Sequence, residues 1–403
     1  MINERVFVTG IGVLSAIGSD LRSFSAALQE GRSGASVITA FDTETVAGRL
    51  GCEVHDFIPA KHFELNALRR MDRCSQLAMV AARQAVTAAA LDVERLNPNR
   101  VGVSLGTTLG GMVNATRYYE RLAHTDRTYA SLLYDYPLYS AGARIVGEYG
   151  FSGPNLAFST ACSSANIAIG HAADLIRYGR QDIMLAGGVD TMSKITVAGF
   201  NALRNVTKDA IRPFDKNRNG LVLGEGVAIL CLESESGMRR RGAQPLAEIL
   251  GYGMSTDAYH MTAPDPTGRG PALAMIRALK RTGLVLEDIG YINAHGTGTR
   301  HNDEMETRAI KKVFGTLVDR IPVSSTKSMH GHVLGATGAI EAVSVIAGML
   351  DRFVPPTINY VTPDPRCDLD YVPNQARSHA FKAALSNNFG FGGNNCTLAI
   401  GSA

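Results

Sequence analysis

A cysteine, two histidines, a lysine and a glutamate stand in settings that suit nucleophilic catalysis. Cys162 lies in Ser159-Thr160-Ala161-Cys162-Ser163-Ser164-Ala165, just ahead of the run Asn166 to Tyr178. In that run Ile167, Ala168, Ala172, Leu175 and Ile176 fall at helical spacing. Ser and Thr before such a run are good N-cap material. Cys162 is therefore expected at or near a helix N-terminus, where the dipole and free N–H groups favour a thiolate and lower the thiol pKa. The alternative is an inert buried thiol, the commoner fate of a free cysteine. The cysteines at 52, 74, 231, 367 and 396 lack this flank of small hydroxyl residues before a helix.

Two histidines follow strand-like runs. Ile292-Asn293-Ala294-His295-Gly296-Thr297-Gly298-Thr299 ends a strand in a glycine-rich turn, which would aim His295 into a cleft. Val323-Ser324-Ser325-Thr326-Lys327-Ser328-Met329-His330-Gly331-His332 repeats the design ahead of an apolar helix from about Ala336. Either ring could instead be a hydrogen-bonded structural residue. His330 and His332 could form a metal pair, but no acidic or cysteine cluster accompanies them, so no metal is expected. Glu341 lies in Ala339 to Leu350, which is apolar nearly all round and should be buried. A buried carboxylate is costly without a partner. Lys327 is embedded in small uncharged residues, and the two are expected to meet, directly or through water, holding the loop of His332. Otherwise Glu341 would reach solvent near the helix start.

Three glycine-rich stretches are poor phosphate loops. Gly10-Ile11-Gly12 lacks a third glycine, and Gly106 to Gly111 lacks a Gly-Lys-Ser/Thr ending, so no nucleotide cofactor is expected. Asn387-Asn388-Phe389-Gly390-Phe391-Gly392-Gly393-Asn394-Asn395 alternates glycine with phenylalanine. Backbone there can approach a reacting centre while the rings of Phe389 and Phe391 exclude water.

The elements that must position these groups alternate. Arg5 to Thr9, Val101 to Leu105, Ile183 to Ala186, Val227 to Leu232, Ala247 to Leu250 and Tyr291 to Ala294 are short strand-like runs, several ended by glycine. Helical spacing, as in Met71 to Leu91, separates them. The pattern predicts an α/β protein with buried sheets. The softest boundary is the charged stretch Ser234 to Gln244. It divides the chain into an N-terminal half, 1–243, with the cysteine, and a C-terminal half, 244–403, with both histidines. A chain of 403 residues, 45% hydrophobic, can bury a large core. A net charge of only +3 argues against general nucleic-acid binding, while leaving room for a local basic patch. Six cysteines without a CxxC pair read as reduced thiols of a cytosolic protein. The stretch Met1 to Val8 lacks the basic start and apolar run of a signal peptide, and no run of about 18 uncharged apolar residues predicts a membrane span.

Together these segments resemble the elongating β-ketoacyl-[acyl carrier protein] synthase family, of the thiolase fold. The matching pieces are Thr160 to Ser164, Asn293 to Thr299, Ser325 to His332 and Asn388 to Gly393, with Arg212-Pro213-Phe214-Asp215 and Leu223-Gly224-Glu225-Gly226. They follow the family's order over essentially the whole chain. The resemblance implies two halves related by a pseudo-twofold, in five α/β/α/β/α layers. It implies acyl transfer to Cys162 and a decarboxylative Claisen condensation in which His295 and His332 donate hydrogen bonds. The N–H groups of Cys162 and Phe391 would form the oxyanion hole, with Lys327 and Glu341 in support. Thr297 and Thr299 would contact pantetheine, Phe389 and Phe391 would close the site, and Leu109 and Phe200 would line an acyl pocket. Arg69, Arg70, Arg204 and Lys208 would receive an acidic acyl carrier protein. The family also implies a homodimer or a pair with a ketosynthase-like subunit, and no cofactor beyond the carrier's phosphopantetheine. His330 departs from the pattern, standing where a smaller residue is usual. Arg300 to Thr307 and the Ser163-Ser164 pair look closer to aromatic or polyene polyketide synthases, with primary fatty-acid elongation the alternative. A non-catalytic chain-length subunit or a degradative thiolase, the latter using Cys396, are the remaining readings. Tyrosines 118, 119, 129, 134, 136 and 139 crowd one region, as an interface, an acyl tunnel or ordinary loop packing.

Overall fold

The computed structural model describes residues 4–125 and 129–403; Met1 to Asn3 of the N-terminal stretch lie outside them. Ten strands form the main sheet system. In chain order they are β1 (Val6–Ser15), β2 (Val101–Gly106), β3 (Asn155–Phe158), β4 (Ile183–Asp190) and β5 (Gly226–Ser234), then β6 (Ala247–Thr256), β7 (Ile289–Asn293), β8 (Val323–Ser324), β9 (Ala383–Gly390) and β10 (Asn394–Gly401).

The first five lie in the order β1-β5-β4-β2-β3 and the second five in the order β6-β10-β9-β7-β8. The senses match as well. In each set the first two neighbouring pairs are antiparallel and the last two parallel. The chain therefore traces one topology twice, and among the described residues the two sets of strands pair where Phe7 and Val8 of β1 meet Glu248 and Ala247 of β6.

Helices repeat with the strands: α1 (Arg73–Ala88) follows β1, α2 (Ser164–Arg177) follows β3, α3 (Arg269–Lys280) follows β6, α4 (Arg300–Phe314) follows β7 and α5 (Thr337–Asp351) follows β8. α1 covers the outer face of the first repeat and α3, with α4 beside it, that of the second. α2 and α5 occupy equivalent places and pack against each other between the two sets of strands. Ile169, Ala172 and Ile176 of α2 share a buried cluster with Ile340, Val343 and Ile346 of α5. Burying each such isoleucine contributes about 1.5–3 kcal/mol. The result is five layers, helix, sheet, helix, sheet, helix.

Several strands run further than the sequence suggests. β1 continues through Gly10 and Gly12, and β4 through Gly187 and Gly188. These glycines allow close approach instead of ending the strands. A Cβ at Gly12 would lie 1.9 Å from the Ala81 carbonyl oxygen of α1, and one at Gly187 1.9 Å from that of Ala228. The stretch Leu334–Asp351 has the length and composition of a membrane-crossing helix, yet 83% of it is buried inside the fold. All six cysteines are free and buried.

Candidate active site

Cys162 sits on the turn from β3 into α2. Ala161 before it has φ 52°, a left-handed backbone costly for a residue with a Cβ. The neighbouring hydroxyls hold that turn. Ser163 Oγ donates to Thr160 O at 2.8 Å, and Ser164 Oγ donates to Ala161 O at 2.6 Å while accepting the Thr160 N–H. Ser163 is the N-cap residue of α2, but its hydroxyl serves the turn and does not cap the helix.

The Cys162 side chain, 7% exposed, lines a cleft with His295, Thr297, Thr299, His332, Phe389, Gly390 and Phe391. Burial pushes its thiol up to about 11, against the pull of the Lys327 charge and of the Phe391 and Cys162 N–H groups. The helix-terminus argument from sequence predicts a lowered value. Desolvation of the thiolate outweighs it here.

His332 Nε2 lies 3.0 Å from Cys162 Sγ. The Leu334 N–H donates to His332 Nδ1 at 3.1 Å, so that nitrogen bears the lone pair. The proton of the neutral ring is then on Nε2, pointing at the sulfur. Thr337 Oγ1, at the first residue of α5, lies 3.0 Å from the same Nδ1. His295 arrives from the end of β7, and its ring meets His332 edge-on with centroids 5.5 Å apart. Burial and the Lys327 charge hold both imidazoles well below their ordinary pKa, and therefore neutral. Ligand-type atoms of Cys162, His295 and His332 lie within 4.8 Å of one another. A metal would need the Nε2 lone pair of His332, but the Leu334 N–H places the proton there, so the site is set up to donate hydrogen bonds, not to ligate.

Lys327 and Glu341 meet as expected. Nζ donates to Oε1 at 2.6 Å, and Asn388 Nδ2 donates to Oε2 at 2.9 Å. Burial pushes the Glu341 carboxyl up to about 7 despite these donors.

Phe391 stacks on Phe200, centroids 5.7 Å apart. Thr297 and Thr299, which also line the cleft, join hydroxyls at 2.9 Å. Leu109 is not among the residues lining this cleft but joins Phe200, Leu334 and Met192 in an apolar cluster. Arg204 is exposed between the cleft residues Leu203 and Asn205, and Lys208 is exposed on the same loop. Arg69 and Arg70 are exposed before α1 and are not among the residues lining this cleft. His330 turns away from His332, with both nitrogens engaged elsewhere, so the two do not converge as a metal pair. Cys396 is buried in β10 and does not line the cleft. Tyr119, Tyr129, Tyr134, Tyr136 and Tyr139 are exposed.

Sequence reasoning misses two buried acids. Glu306 accepts the N–H groups of His295 and Gly296, both at 2.8 Å, and so fixes the turn after β7. It lies in the charged run Arg300 to Thr307, where no pattern marks which acid is buried. Asp190, at the end of β4, accepts the N–H groups of Thr108, Leu109 and Gly335. An acid closing an apolar strand is its only sequence signal.

Residues 3–237 match the family model of the β-ketoacyl synthase N-terminal domain, and residues 246–361 that of the C-terminal domain. The chain belongs to the β-ketoacyl synthase family. Among curated members, 3-oxoacyl-[acyl-carrier-protein] synthase 2 of Coxiella burnetii is 41% identical, the alignment covering 99% of each chain. The enzyme of the same name from a Synechocystis strain is 42% identical over 98% of each. Two solved structures superpose over the whole of both chains. One is the ishigamide ketosynthase/chain length factor, with TM-score 0.93 and 38% identity. The other is a ketosynthase, bound to the hexaketide and in complex with a type II polyketide synthase acyl-carrier protein, with TM-score 0.91 and 33% identity. The repeated five-layer arrangement is thus the thiolase fold of a β-ketoacyl synthase.

Proposed function

We propose that Cys162, His295 and His332 carry out a two-stage condensation. The single observation that carries this reading is the His332 Nε2–H aimed at Cys162 Sγ across 3.0 Å. In the first stage Cys162 sulfur attacks the thioester carbonyl of an acyl-carrier. The acyl–sulfur bond to the carrier breaks, and the proton lost by Cys162 ends on the departing carrier thiol. In the second stage a malonyl thioester replaces it. Its terminal carbon–carbon bond breaks, carbon dioxide leaves, and the electron pair forms an enolate whose oxygen accepts hydrogen bonds from the two neutral imidazoles. The enolate carbon attacks the acyl-Cys162 carbonyl. The N–H groups of Cys162 and Phe391, which already face the sulfur, stabilise the oxyanion, and collapse expels the Cys162 thiolate.

Lys327 and Glu341 hold the His332 loop, Thr297 and Thr299 flank the incoming pantetheine, and Phe389 and Phe391 shield the enolate from water. Leu109 and Phe200 bound the acyl end. Arg204 and Lys208 at the mouth, with Arg69 and Arg70, offer positive charge to an acidic carrier protein. The exposed tyrosines, and the place of β3 at the end of the strand order, suit a homodimer or a pairing with a ketosynthase-like subunit. A polyketide or polyene pathway and primary fatty-acid elongation are told apart by turnover on polyunsaturated against saturated acyl-carriers.

The test is intact-protein mass spectrometry after incubation with a panel of acyl-carriers. The unaltered chain gains one acyl mass, and Cys162→Ala gains none. An acyl adduct of equal extent on the alanine variant sinks the reading.

A further inference from the structure

His330 takes part in none of these steps, yet it is fully buried and uses both ring nitrogens. Nδ1 lies 2.8 Å from the Gly331 carbonyl oxygen, which can only accept, so Nδ1 carries the proton. Nε2 of the neutral ring must then accept, and Thr326 Oγ1, 3.0 Å away, donates to it. Thr326 Oγ1 is in turn 3.3 Å from Asn293 Nδ2, which can only donate. Every proton along Asn293, Thr326, His330 and the Gly331 carbonyl therefore points the same way. Burial and the Lys327 charge push the His330 pKa down to about 3, so the ring stays neutral and the direction holds.

Two members of this series bracket the reactive loop. Thr326 immediately precedes Lys327, and Gly331 immediately precedes His332. Gly331 has φ 71° and ψ −177°, a backbone open in practice only to glycine and so in need of an external hold. On its other side the Gly331 N–H donates to Lys327 O at 2.9 Å. From this geometry we infer that His330 is a positioning residue for the condensation. By gripping the Gly331 carbonyl it fixes, together with the His332 N–H bond to Val222 O at 2.8 Å, the peptide plane leading into His332, and with it the direction of the Nε2–H. The inference rests on the condensation reading above and names a residue that reading leaves idle.

The test separates the two stages and uses three variants of the full chain. Asparagine can place an amide N–H where Nδ1–H points and so keep the grip on Gly331. Glutamine reaches instead towards Thr326. His330→Ala slows carbon dioxide release from malonyl-carrier by about 10- to 100-fold, the order of effect of a small misplacement of a donor. Acyl loading of Cys162 changes much less. His330→Asn recovers most of the carbon dioxide release, and His330→Gln stays slow. Equal losses in both stages, equal behaviour of Asn and Gln, or an alanine variant as fast as the unaltered chain each overturn the inference. A substitution that merely loosens the fold slows both stages together, and its lowered melting temperature shows this. An unaltered chain that neither loads acyl groups nor releases carbon dioxide overturns the condensation reading and this inference with it.

Discussion

Lys327 Nζ donates to Glu341 Oε1 at 2.6 Å with both side chains wholly buried. Removing one partner strands the other charge. Lys327→Ala or Glu341→Ala is expected to lower unfolding free energy by about 3–5 kcal/mol. Replacing both with methionine recovers much of that loss without recovering condensation, because the His332 loop no longer has its polar tether. Urea unfolding alongside a condensation assay checks both halves of this expectation.

His332→Ala removes the Nε2–H donor. Carbon dioxide release from malonyl-carrier should fall about 100- to 1,000-fold, the usual consequence of deleting one oxyanion donor. The acyl-Cys162 adduct should still form, visible by mass. Undiminished carbon dioxide release would remove His332 from the chemistry.

The raised Cys162 thiol predicts sluggish alkylation in the resting chain. With a pKa pushed up to about 11, the rate of iodoacetamide capture at Cys162 rises about tenfold per pH unit from 7 to 10. A rate that levels off below pH 8 would mean that the helix terminus overcomes burial after all.

Gly12→Ala should destabilise the chain by about 1–3 kcal/mol or more, since the added methyl would drive α1 off β1. Thermal unfolding measures this, and an unchanged melting temperature would contradict the close packing of the first repeat.

Acid should weaken the fold through its buried imidazoles. The folded pKa of His330 is about 3 against an ordinary 6.5, so the unfolded chain binds the extra proton between those values. Its stabilisation is complete above about pH 6.5 and is lost as pH falls towards 3, at about 1.4 kcal/mol per unit. Glu306 and Glu341, raised to about 7, act in the opposite sense, and comparing the unaltered chain with His330→Asn isolates the single ring. The variant should lose less stability on acidification.

The chemistry-bearing residues were legible because each sits beside an abrupt change of pattern. Cys162 stands between small hydroxyl residues and a helix, His295 and His332 stand after strands, and Glu341 interrupts an apolar helix. The α/β alternation was legible for the same reason, since apolar runs of two lengths report their own period. Strand limits were not, because a glycine that lets α1 touch β1 looks the same in sequence as one that ends a strand. The thiol pKa was misjudged because local sequence shows the helix terminus but not the depth of burial. Glu306 and Asp190 were hidden for a related reason: what they hold is backbone N–H, which every residue except proline carries and no side-chain pattern marks.

The repeated topology gives the reacting groups a shared origin in space. Cys162 precedes α2 in the first repeat, and the loop of His332 precedes α5 at the equivalent place in the second. The positive poles of two helices thus converge on one spot, favouring whatever carries negative charge there. Cleaving the chain between Ser234 and Ala247 would leave each fragment with one pole and an incomplete set of reacting groups. Activity would be expected to return only when the fragments are recombined, as though the enzyme were a complex that happens to be written as a single polypeptide.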